Sequence, residues 1–227
     1  MLDYPAAAGR SLNALLVLAH GAGAGERHPF MMAFGRGLAA RGIDVVTFNF
    51  PYMEQKRRVP DKAPVLEARF REVIDTARHG ERSGRRLFIG GKSMGGRMAT
   101  HLAACPERSR GPQGAIEGLN GVIALGYPLH PPGKPDQPRT AHLPAITSPV
   151  LIIQGEHDVF GTPSELEPVI ATMPAPVTLH VVAGGDHSLK VRGRPSEQIY
   201  EPLFDLITRF CTADAGAPAP TSRAPAG

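Results

Sequence analysis

Ser93 lies between glycines in Gly91-Lys92-Ser93-Met94-Gly95, directly after the apolar run Leu87-Phe88-Ile89. G-x-S-x-G where a strand meets a helix is a nucleophile elbow, a sharp turn that pushes a serine hydroxyl out at its tip. A side chain at Gly91 or Gly95 would collide with neighbouring backbone in so tight a turn. A serine hydroxyl attacks poorly unless a base removes its proton. His187, in Gly184-Gly185-Asp186-His187-Ser188, is the candidate base, because an unperturbed imidazole titrates at about 6.5. A carboxylate must then fix the ring's tautomer and stabilise the imidazolium. Asp158 is the expected partner. Glu156 and Asp186 compete with it, but Asp186 adjoins His187 and Glu156 sits closer to its strand.

An attacking serine also needs donors for the oxyanion that forms. One is the backbone N–H of Met94, and the other belongs to the loop His20-Gly21-Ala22-Gly23, with Ala22 first and Gly23 next. His20 reads as a loop-packing histidine whose ring could brace that loop. Tyr52 either lines a pocket or packs as a loop aromatic. Lys92 reads as a charge at the rim of the site. Two rival motifs fail. Gly91-Lys92-Ser93 could end a phosphate-binding G-x-x-x-x-G-K-[ST], but Arg86 stands where its first glycine belongs. Gly21-Ala22-Gly23 could begin a dinucleotide fingerprint, but Glu26 replaces its third glycine, and Asp44 lies at the wrong end of its strand to grip a ribose. The histidines show no metal-ligand spacing, so neither a metal nor a cofactor is expected. Cys105 has no paired base and reads as an inert thiol.

These residues fall at the ends of strand-like runs. Asn13–Ala19, Asp44–Phe50, Leu87–Ile89, Gly121–Leu125, Val150–Gln154 and Val177–Val182 predict six strands. Helical spacing predicts helices over Pro29–Arg41, Val65–Arg78, Met94–Ala104, Thr162 to about Thr172, and Ser196–Cys211. Thr162-Pro163-Ser164-Glu165 is a capping box. Alternating strands and helices imply an α/β fold, with a mostly parallel sheet and helices on both faces. Function then collects at the carboxyl edge of the sheet. Tyr52–Pro64 and the Pro-rich Gly126–Pro149 read as loops. Residues 1–211 form the expected single domain, and the Ala/Pro-rich 212–227 reads as a disordered tail.

A hydrophobic content of 42% and charged content of 20% are those of a soluble globular chain, and no run is long and apolar enough to span a membrane. Met1–Arg10 lacks the pattern of a secretory leader, and two cysteines make no disulfide framework, so a cytoplasmic location is expected. The net charge of +4 is scattered, which argues for solvated faces rather than a nucleic-acid surface.

With the serine, acid and base in that chain order, the sequence resembles the α/β-hydrolase superfamily from Asn13 to Cys211. The stretches His20–Gly25, Phe48–Tyr52, Gly91–Arg97 and Gly126–His130 are similar to a compact subgroup related to dienelactone hydrolases. That subgroup includes relatives of a subunit of a nuclear histone-acetyltransferase complex. The resemblance implies Ser93, Asp158 and His187 as the catalytic triad of a serine-hydrolase fold and leaves the substrate open. The expected reaction is cleavage of carboxylic esters through an acyl-enzyme, with small or exposed substrates because no cap is expected. Other readings are a catalytically idle interaction module and a peptidase or amidase. Two departures from the family pattern are expected: the two leading strands of a full sheet are absent, and no helical cap follows the fourth strand.

Overall fold

In the computed structural model, residues 1–104, 114 and 116–213 are described. Cys105 and residues 214–227 of the expected tail lie outside the described residues.

Strands β2 (Ala14–Ala19), β3 (Ile43–Phe48) and β6 (Val150–Gly155) are buried at every position. Strands buried along their whole length, and largely apolar, are what a parallel sheet covered on both faces requires. With β1 (Leu2–Tyr4), β4 (Arg86–Lys92), β5 (Leu119–Leu125) and β7 (Val177–Val182) they form one sheet, in the order β1-β3-β2-β4-β5-β6-β7. All neighbours pair parallel except β1, which runs antiparallel to β3 with Leu2 opposite Thr47 and Tyr4 opposite Val45.

Among the described residues the sheet therefore has seven strands rather than six, and one leading strand is present. β1 escapes sequence reading because three residues show no alternation. Backbone pairing at the β3 edge recruits it, and Tyr4 then covers Gly35, where a Cβ would lie 2.7 Å from the tyrosine ring.

Alternation along the strands sends Leu15, Val17 and Ala19 to one face and Ala14, Leu16 and Leu18 to the other. The first face packs against α3 (Ala63–Ala77), α4 (Met94–Ala103) and α5 (Pro163–Ile170). The second packs against α1 (Pro29–Ala39) and α6 (Ser196–Thr212). Phe30, Phe34, Tyr200 and Phe204 join α1 to α6 through an aromatic cluster, with the Phe30 and Phe34 centroids 4.4 Å apart. Cutting a fully buried ring such as Phe34 to alanine typically costs about 3–5 kcal/mol.

The loop expected from Tyr52 is entered through a single helical turn, α2 (Pro51–Glu54), with proline at its first position. The capping box at Thr162 is present, its amide donating to Glu165 Oε2 at 2.8 Å. Gly126–Pro149 carries only a 3-10 turn at Leu143–Ala145, so among the described residues no helical cap covers the carboxyl edge. Among the described residues, no helix is long and apolar enough to cross a membrane.

Candidate active site

β4 ends at Lys92, and the chain turns at Ser93 with φ 51° and ψ −114° before α4 begins. Positive φ is costly for a residue with a Cβ, on the order of 1–3 kcal/mol, and the surroundings hold it. The Ser93 amide donates to the Leu125 carbonyl at 2.9 Å, and its carbonyl accepts from Arg97 N at 3.0 Å. A Cβ at Gly91 would lie 2.5 Å from the Gly95 carbonyl carbon and 2.6 Å from the Ala19 oxygen. One at Gly95 would lie 2.7 Å from the His20 oxygen. The glycines let α4 leave the strand across the ends of β2 and β4.

His187 follows β7. Its Nε2 is 2.8 Å from Ser93 Oγ, and its Nδ1 is 2.7 Å from Asp158 Oδ2 and 2.9 Å from Oδ1. Asp158, 1% exposed, also accepts from Phe160 N at 2.8 Å and Gln154 Nε2 at 2.9 Å. Both competing carboxylates are engaged elsewhere. Glu156 accepts from Gly184 N at 2.7 Å, and Asp186 caps its own loop through Ser188 N at 2.7 Å and Lys190 N at 2.9 Å.

Two supporting residues were missed from sequence. Fully buried Gln154, next to last in β6, ties Asp158 to Tyr127 N at 2.7 Å and to the Gly161 carbonyl at 2.7 Å. A glutamine near the end of an otherwise apolar strand was the available signal. Phe160 lies against the His187 ring, centroids 4.2 Å apart.

The loop after β2 is held from behind. His20 is fully buried; its Nε2 accepts from Phe50 N at 3.1 Å, so Nδ1 carries the proton and donates to the Gly21 carbonyl at 2.8 Å. Burial lowers its pKa, against smaller upward pulls from the Gly21 carbonyl and Glu26. Tyr52 is also buried and donates to the Ala22 carbonyl at 2.8 Å, and burial pushes its phenol up to about 12. Neither ring lines the cleft; both brace the loop. Ala22 and Gly23 are exposed, and among the described residues the amides of Ala22 and Met94 have no protein acceptor.

A cleft of about 940 Å³ opens in front of Ser93 and His187, walled on the α1 and α6 side by Phe30, Met31, Tyr200 and Phe204. Gly23 and Lys92 line it. Lys92 is no rim charge. Strand alternation puts it on the side of Phe88, so it points inward, its ammonium 6.0 Å from the Phe30 ring centroid and donating to the His187 carbonyl. Burial lowers its pKa to about 8, with Asp158 and then Asp186 opposing the shift. Gly126 makes room: a Cβ there would lie 2.8 Å from that carbonyl and 2.9 Å from Lys92 Nζ. Among the described residues, no group of His, Cys, Asp and Glu could hold a metal ion.

Known proteins share this architecture. The chain is similar to a dienelactone hydrolase from Anabaena variabilis, at 19% identity over 90% of this chain and 87% of that one, with a TM-score of 0.68. It is similar to a serine hydrolase without a lid from Xanthomonas campestris, at 19% identity over 92% and 85%, TM-score 0.68. It is also similar to Est1E from Butyrivibrio proteoclasticus in a ferulic acid complex, at 14% identity over 88% and 86%, TM-score 0.64. At these identities the likeness is one of fold. The family model described as alpha/beta hydrolase domain matches residues 12–212, and the chain belongs to that hydrolase family.

Proposed function

We propose that the protein is a serine hydrolase that cleaves carboxylic esters through an acyl-enzyme. The observation that carries this reading is the continuous relay from Ser93 Oγ through both nitrogens of His187 to the buried Asp158 carboxylate. Ser93 attacks the ester carbonyl as His187 Nε2 takes its proton. Asp158 holds Nδ1–H and stabilises the imidazolium. The oxyanion accepts from the Ala22 and Met94 amides, the latter at the N-terminus of α4, where the helix dipole favours negative charge. Collapse of the intermediate breaks the C–O bond, and His187 returns the proton to the leaving alcohol. Water, activated by the same histidine, then releases the acid and frees Ser93.

The uncapped, partly apolar cleft supports small or exposed ester substrates, and an ester-cleaving reading agrees with the ferulic acid found on Est1E. Neither nucleic acid nor membrane is part of the proposal. A cytoplasmic setting is proposed on cysteine usage, Cys211 being buried and unpaired.

A p-nitrophenyl ester series from acetate to octanoate tests the proposal. Turnover should fall as the acyl chain lengthens, with a burst of p-nitrophenol where deacylation is slow. Ser93→Ala should abolish both, and undiminished hydrolysis by that variant would refute the reading.

A further inference from the structure

The peptide unit that joins His187 to Ser188 is gripped at both ends. Its N–H donates to Asp186 Oδ1 at 2.7 Å, and its carbonyl accepts from the Lys92 ammonium. Among the described residues Lys92 is the one donor to that carbonyl, and the carbonyl is the one hydrogen-bond acceptor of Lys92. Among the same residues no carboxylate lies within ion-pair distance of the ammonium. A cation taken out of water needs such a partner, and a bond from a charged donor is stronger than one between neutral groups.

The neighbouring elements leave the ammonium one place to go. The Phe30 ring lies on one side, its centroid 6.0 Å from Nζ. On the other side stands Gly126, at φ 67°, where a Cβ would come within 2.9 Å of Nζ and 2.8 Å of the His187 carbonyl oxygen. Gly126 is itself fixed, its amide donating to the Ile153 carbonyl at 2.8 Å. A glycine at this position keeps open the gap that the lysine–carbonyl bond crosses.

Lys92 also immediately precedes Ser93. β4 therefore delivers the serine and, one residue earlier, the group that holds the backbone of His187, 95 positions further along the chain. Asp158 fixes the Nδ1 side of the imidazole, and Phe160 covers one face. Neither contact sets how far the His187 backbone stands from β4, and that separation decides whether Nε2 reaches Ser93 Oγ, now 2.8 Å away.

We propose that Lys92 is a positioning residue whose hydrogen bond to the His187 carbonyl sets the distance between His187 Nε2 and Ser93 Oγ. The catalytic consequence rests on the serine-hydrolase reading above; the geometric claim does not.

Lys92→Met keeps the length of the side chain and removes the donor. Crystal structures of the parent protein and this variant test the geometry. The Nε2–Oγ contact should hold in the parent and open beyond about 3.5 Å in Lys92→Met. An unchanged contact in the variant would overturn the proposal whether or not any ester is turned over. With p-nitrophenyl acetate, kcat and kcat/KM should fall together by about 10²-fold in Lys92→Met, with KM changed less than about threefold. A raised KM with kcat intact would make Lys92 a substrate contact and overturn the positioning role. Lys92→Cys separates the donor from simple packing, and decides the matter if Lys92→Met folds poorly. Alkylation with 2-bromoethylamine rebuilds an amine of lysine length and should restore kcat by about tenfold or more, whereas 1-bromopropane restores length alone and should not. The parent protein, treated in the same ways, controls for its own cysteines. Equal rescue by both reagents would reduce Lys92 to packing and overturn the proposal. If the parent protein hydrolyses no ester, the serine-hydrolase reading fails, and the two crystal structures still decide what Lys92 positions.

Discussion

His20 follows β2 and His187 follows β7, at the same edge of one sheet, and each ring is hydrogen-bonded through both nitrogens. Their partners differ in kind. His20 meets only backbone, the Gly21 carbonyl and the Phe50 amide, and is fully buried. An amide N–H is too weak an acid to give its proton to an imidazole, so that ring is fixed in one tautomer and serves as a brace. His187 meets two side chains, Asp158 and Ser93, and its own side chain is 19% exposed at the cleft. A proton can pass from the hydroxyl to Nε2 while Asp158 compensates the charge. Under the proposed mechanism, the partners of a histidine's two nitrogens decide whether it moves protons or holds a loop.

Substitution should separate the two loops. His187→Ala should lower kcat/KM for a p-nitrophenyl ester by about 10⁴-fold or more, the scale of losing a member of a triad. Its thermal melt should shift little, because the ring is partly exposed and Asp158 keeps its hydrogen bonds from Phe160 N and Gln154 Nε2. Next in size, Asp158→Asn should cost about 10⁴-fold by favouring the wrong tautomer of His187 while keeping the geometry. A full rate in Asp158→Asn would break the assignment of the acid.

His20→Ala should show the opposite profile. It orphans the Phe50 amide and releases the Gly21 carbonyl, so urea denaturation should show a loss of about 1–3 kcal/mol. Its rate should fall by about 10²-fold, the usual consequence of misplacing an oxyanion donor. A rate loss as large as that of His187→Ala, with unchanged stability, would erase the distinction between the rings.

The smallest effect is on pH-dependent stability. The folded pKa of His20 lies below its unfolded value of about 6.5. The unfolded chain therefore binds a proton first as pH falls, and stability declines from about pH 6.5 down to the folded pKa, by at most about 1.4 kcal/mol per pH unit for one group. His142 and His180 are shifted in the same direction and add to the decline. Urea midpoints from pH 8 to pH 5 should fall in the parent protein and fall less steeply in His20→Ala. Equal slopes would mean that His20 is not held neutral.

Much of this arrangement was readable in the sequence because it rests on steric demands with distinctive letters. Gly91 and Gly95 are glycines because backbone passes within contact of where a Cβ would sit. Apolar runs as complete as Ala14–Ala19 arise in strands covered on both faces. Other features left no such trace. β1 and α2 are too short for periodicity and exist through backbone pairing and a proline start. Lys92 was misread because a charged residue beside a site suggests solvent, whereas strand alternation from Phe88 turns it inward. Gln154 and Tyr52 act through hydrogen bonds to residues distant in sequence, which no local pattern encodes.

The central claim is that Ser93 is the nucleophile, and a fluorophosphonate probe tests it most directly. Intact-mass analysis should show one adduct per chain, located on Ser93 by peptide mapping. Ser93→Ala should show none, and His187→Ala should label far more slowly. Equal labelling of the parent protein and Ser93→Ala, or no labelling of the parent protein, would contradict the account.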